Sequence, residues 1–217
     1  MDTETEKAAT ELKVIRELME RPVRYSTQSG LAGILAGLAA LAGCAADWSI
    51  SERYPPSEAF WINQGVWGAV FVVAFASVTV LTRLRERKRG MPFWSSIKKR
   101  ILLTILPPFF AGVGLTLAVA FRWHYRIGPN MWGLIPPIWM TFYGVTCWQV
   151  GEFSIRELRV MGAAFIASGL VVACLVPARL IAAAGGTLDY EPYWTIGVTF
   201  GGFHIIYGAV VWIRHGG

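Results

Sequence analysis

Between Arg83 and Arg100 the chain reads RLRERKRGMPFWSSIKKR, with eight Lys/Arg residues against a single acid, Glu86. Apolar runs lie on both sides of this connector. Each is about 20 residues long, and about 20 residues at about 1.5 Å per residue cross a hydrocarbon core of about 30 Å. A segment this cationic is held on the cytoplasmic face of a bilayer. That placement decides which way every neighbouring apolar run must point. Few alternatives to a membrane bundle survive it. A soluble domain carries about 25% charged residues, whereas this chain has 16% charged and 54% hydrophobic residues.

Six apolar spans follow in order, near Ser29–Ala46, Phe60–Leu81, Ile101–Phe121, Met131–Val150, Val160–Ile181 and Tyr193–Ile213. The expected fold is therefore all-α, a polytopic membrane helical bundle of six transmembrane helices occupying residues 29–217. With an even number of spans both termini share the side of the basic connector, N-in and C-in. That side carries 16 Lys/Arg residues and the opposite side 4, a clear positive-inside bias. Aromatic residues agree. Trp48, Tyr54, Trp61, Trp123, Tyr125, Trp132, Tyr190, Tyr193 and Trp194 gather at the outer ends, and Trp94, Trp148 and Trp212 at the inner ones. Residues 49–59, with the pair Pro55-Pro56, read as a short polar loop. The net charge of +6 does not point to nucleic acid, because the cations sit beside apolar spans, where they read as topology signal and anionic-lipid contact.

Residues 1–28 form a separate segment. Ala8, Leu12, Ile15 and Met19 recur at spacings of four, three and four, which places them on one helical face. Thr3 with Glu6 fits a capping box and Pro22 closes the stretch. This predicts an amphipathic cytoplasmic or interfacial helix. It has no apolar core of the kind a cleavable signal peptide needs.

The first span is built from small residues, in the rows Ser29, Gly33, Gly37 and Ala32, Ala36, Ala40, Cys44. In lipid no hydrophobic force draws helices together, so close backbone approach through small residues drives association. This span is expected to be central. Two spans carry proline pairs, Pro107-Pro108 and Pro136-Pro137. A proline inside a helix removes a hydrogen bond and crowds the carbonyl four residues back, so these four residues are candidates for helix interruption. The pairs either kink helices or start them.

Ionisable side chains inside a bilayer are costly and are functional candidates by default. One lies near the middle of a span: His204. Gly197, Gly201, His204 and Gly208 recur at four, three and four, so the imidazole shares a stripe with glycines and is expected to face other helices. His204, Gly201 and Tyr207 are the candidate ligand-contacting or proton-responsive residues. The alternative role for His204 is a hydrogen bond to a backbone group or hydroxyl that sets helix register. A single histidine cannot hold a metal, since His124 and His215 belong to opposite faces. The three cysteines, Cys44, Cys147 and Cys174, fall in apolar runs without a CxxC pattern and read as small buried residues. No HExxH, GxSxG or phosphate-cradling loop occurs, so no catalytic residue, metal site or cofactor is assigned.

Four segments, IRELMERPVRYSTQSGLAGILAGLAALAG, LPPFFAGVGLTLA, PPIWMTFYGV…GEFSIRELRVMG and TFGGFHIIYGAVVWIRHGG, resemble a family of small bacterial polytopic membrane proteins without an assigned reaction. The resemblance implies the bacterial cytoplasmic (inner) membrane, with multiple spans, and marks Gly201, Gly202, His204 and Gly208 as fold- or function-defining. Three functions follow for weighing. The first is a non-enzymatic bundle acting through a protein partner, self-association or a lipophilic ligand, with membrane lipids as its surroundings. The second is a small transporter or channel using the proline-interrupted spans and the intramembrane histidine. The third, a lipid enzyme with His204 as base, lacks a nucleophile and an acidic partner and ranks last.

Overall fold

In the computed structural model, which describes residues 29–88, 90, 94–125, 132–183 and 192–215, every regular element is helical. The helices are α1 (Gly30–Arg53), α2 (Pro56–Lys88), α3 (Ser96–His124), α4 (Ile135–Gly151) and α5 (Arg156–Ala183). The last, α6, joins three stretches: α-helical Pro192–Ile196, π-helical Gly197–Phe203 and α-helical His204–His215. The amphipathic segment expected over 1–28 lies outside the described residues.

The polar loop expected over 49–59 is not there. The first helix continues to Arg53, and the second starts at Pro56. The cause is local bonding. Trp48 Nε1 donates to Glu52 Oε1 at 2.9 Å, one turn on, and Trp67 Nε1 of α2 donates to Asp47 Oδ2 at 2.8 Å. The Asn63 amide also donates to Asp47. These bonds occupy the polar side chains without breaking the helix, and Pro56 stands at a helix start, where its missing N–H costs nothing. The basic connector shortens similarly, because α2 runs on to Lys88 and α3 begins at Ser96.

The proline pairs differ. Pro107 and Pro108 lie inside α3, which runs through both. Pro136 and Pro137 open α4 in its first turn, after one 3₁₀ turn at Trp132–Leu134.

Among the described residues, five helical stretches are long and apolar enough to cross a membrane: Gly30–Arg53, Ser57–Lys88, Ser96–Arg122, Arg156–Leu175 and Trp194–His215. The 17 residues of α4 measure about 25 Å at about 1.5 Å each, short of a core of about 30 Å.

Two backbone-to-backbone seams hold the bundle. Along the first, α1 lies on α6. A Cβ placed at Gly30 would stand 2.5 Å from the Gly208 carbonyl oxygen, and one at Gly37 2.7 Å from that of Gly201. Along the second, α4 lies on α5, where a Cβ at Gly162 would stand 2.5 Å from the Trp148 nitrogen. Contact this close needs glycine on the facing surfaces, and it supplies the dispersion that substitutes for hydrophobic drive in lipid. α1 also packs on α2, as expected for a central first span: Gly43 faces Val70 and Trp67. By contrast α2 exposes Phe71, Val72, Phe75, Val78 and Val80, the surface a lipid-facing helix presents.

One end of the bundle is tied by charge. Lys98 Nζ lies 2.5 Å from Glu86 Oε2, joining α2 to α3. The Arg100 guanidinium sits over the Phe153 ring, 4.2 Å from its centroid. Arg214 Nη1 reaches Glu157 Oε1 at 3.0 Å, and Arg159 pairs with Glu152 at 2.8 Å. The α2–α3 turn, the α4–α5 turn and the end of α6 therefore share one face.

Candidate functional site

Glycines at 197, 201 and 202 give the middle of α6 the backbone freedom for a π-helical segment, a feature found often at functional sites. The segment ends at His204, whose backbone N–H bonds to the Gly201 carbonyl. The Phe200 carbonyl, four residues back, accepts instead from the imidazole: Nδ1 lies 2.8 Å from Phe200 O. A carbonyl oxygen only accepts, so Nδ1 carries the proton. In the neutral ring Nε2 is then an acceptor, and the Tyr143 hydroxyl, 2.6 Å away on α4, donates to it.

The pair sits in an aromatic cage. Phe165 of α5 meets Tyr143 edge-on at 5.0 Å and His204 at 5.6 Å between centroids. Phe200 lies 4.8 Å from Phe165 and stacks on the imidazole at 6.1 Å. Phe165 and Met140 have no exposed surface, and His204 is 8% exposed. Cys147, one turn beyond Tyr143, completes the floor and belongs to the same buried core.

The three residues singled out on α6 diverge. Gly201 faces the Leu41 side chain of α1, and the Tyr207 ring lies against Gly33 of α1 and the edge of the core. His204 turns toward Tyr143 on α4. Tyr143 was not singled out from the sequence. Its signal is position, since a tyrosine in mid-span stands away from the interfacial belts where its hydroxyl would find water. A second missed residue is Glu86, read only as the lone acid of a basic run. Its side chain is 1% exposed.

Chemically the hydrogen-bond chain runs Tyr143 O–H to Nε2 and Nδ1–H to Phe200 O. It ends on a backbone carbonyl, which passes no proton onward. The arrangement joins α4 to α6 through one polar contact, inside an apolar cage to which α5 contributes Phe165. Tyr143→Phe should therefore cost about 1 kcal/mol. That lies between the average of about 0.6 for interhelical bonds in membranes and the 1–3 expected for an orphaned buried acceptor. Equilibrium unfolding in mixed micelles would measure it. A variant as stable as the parent would remove the bond from the account.

All-helical architecture, five membrane-length apolar helices and a polar contact enclosed among aromatic rings define a helical membrane-embedded protein. Compared with protein-family models, curated proteins and solved structures, the chain shows no significant match to any of them.

Proposed function

We propose that the protein is a six-span, non-enzymatic bundle of the bacterial cytoplasmic membrane. Both termini face the cytoplasm, and it acts by packing against a protein partner, a second copy or a lipophilic ligand. The observation that carries this reading is the use of both His204 nitrogens inside the fold. The one mid-span imidazole serves helix packing. The α4 length supports a sixth crossing: its 3₁₀ turn adds about 6 Å at about 2.0 Å per residue to about 25 Å of α-helix, matching a core of about 30 Å. The shared face of the α2–α3 turn, the α4–α5 turn and the α6 end supports the orientation.

The test is reconstitution in vesicles with single cysteines in a cysteine-free background. Ser57→Cys should label from outside and Ser95→Cys only from the cytoplasmic side. Labelling of Ser57→Cys from the cytoplasm alone would overturn the topology. A transporter is the second reading, favoured by the π-helical segment and by the two helix carbonyls that Pro107 and Pro108 leave without N–H donors. A pH-dependent solute flux that His204→Leu abolishes would establish that reading and end the first.

A further inference from the structure

Between α3 and α4 lies a groove of about 410 Å³ lined by Thr104, Pro107, Pro108, Ala111, Phe142, Val145 and Gln149. Its volume falls within the range of small-molecule sites, about 300–1,000 Å³. Its polarity is graded. Thr104 and Gln149 stand at one end, and the rest of the lining is apolar or backbone.

Helical register extends the polar end. Arg100, Thr104, Pro107, Pro108 and Ala111 recur at four, three, one and three along α3, so Arg100 stands one turn beyond the groove on the same face. Phe153 lies four residues past Gln149, just beyond the end of α4 at Gly151, and Arg100 lies over its ring. A guanidinium therefore stands beyond the polar end of the groove. Among the described residues Arg100 has no carboxylate partner. Glu152, the nearest acid in sequence to that wall, is held by Arg159. Pro107 and Pro108 also leave the carbonyls of Leu103 and Thr104 without helical donors, adding acceptors near the polar end.

We infer that this groove binds one anionic phospholipid, with an acyl chain laid over Pro107, Pro108 and Ala111 and the phosphate on Arg100. The inference rests on the membrane-bundle reading above and names a lipid class for it. Charge complementarity selects the occupant. The polar end of the groove is the end nearer the connector that carries Arg87, Lys88 and Lys99, which in the proposed orientation is where anionic headgroups concentrate. A guanidinium matches phosphate geometry with paired donors. The walls, unlike a cytosolic phosphate site, are apolar for the length of α3 below it.

The full chain in detergent, examined by native mass spectrometry with equal amounts of dioleoylphosphatidylglycerol and dioleoylphosphatidylcholine, tests this. One phosphatidylglycerol per chain should be retained in preference. Arg100→Gln should lower retention about fivefold, the value of one cation at an anionic surface. Ala111→Phe, which fills the groove, should lower it as much without changing charge. Lys88→Gln, away from the groove, should leave the first lipid bound. Equal loss in Lys88→Gln would show diffuse attraction and overturn the site. So would undiminished retention by Ala111→Phe, displacement by millimolar inorganic phosphate, or a second protein copy in place of lipid. Insertion into vesicles, scored separately, distinguishes failure of the site from failure of the membrane reading.

Discussion

Gly208→Ala should separate α1 from α6. A Cβ at this position stands 2.5 Å from the Gly30 carbonyl oxygen and 2.6 Å from the Ile34 nitrogen. Both obstacles are backbone, so no rotamer change relieves them. Overpacking in a core costs about 1–3 kcal/mol where side chains can yield. Here two helix backbones must move apart, forfeiting dispersion along the whole seam. Alanine would gain up to about 1 kcal/mol of helix propensity over glycine, which is smaller than the loss. The net expectation is a destabilisation of about 2 kcal/mol or more, with loss of monodisperse protein on size exclusion. The control is Gly68→Ala on α2, where nothing lies within 4 Å of a new Cβ. That variant should be neutral or stabilised by up to about 1 kcal/mol. If the two variants behave alike, glycine contact is not what joins α1 to α6.

Lys98→Met is the second large effect. Glu86 is 1% exposed, and Lys98 Nζ is its close partner at 2.5 Å, with Arg83 at 3.6 Å. Removing one member of a buried pair strands the other charge, at about 3–5 kcal/mol. Lys98 is 21% exposed and Arg83 remains, so the lower end, about 3 kcal/mol, is expected. Adding Glu86→Gln removes the carboxylate left less well paired and should recover most of the loss. Thermal unfolding of both single variants and the double variant gives the coupling. Additive effects would show that the two side chains act independently. The pair matters to architecture because it fastens α2 to α3 beside the basic connector.

Some of this was readable from residue order. The spacing of Gly197, Gly201, His204 and Gly208 predicts one helical stripe; Gly201 and Gly208 do meet α1, whereas His204, beyond the π-helical segment, turns to Tyr143 on α4. The small residues of the first span forecast a central helix, and α1 meets both α2 and α6. Helix ends were misread, as at residues 49–59. Hydropathy marks where lipid gives way to water, whereas a helix ends where its backbone loses partners. Trp48 with Glu52, and Asp47 with Trp67, keep the chain helical beyond the apolar boundary. The proline pairs were ambiguous for a related reason. Proline is cheap in a first turn and expensive later, and only the position of the helix start tells which applies.

Residue order alone determined that this is a helical chain of membrane-length apolar runs with a cationic connector. Burying charge in hydrocarbon is too costly for the pattern to be met another way. Tertiary structure alone decided that His204 meets Tyr143, that Glu86 is buried against Lys98, and that Arg100 lies over Phe153. Each is a contact between separate helices. Such contacts depend on how the rods rotate and slide against one another, and periodicity within a single rod carries no record of that.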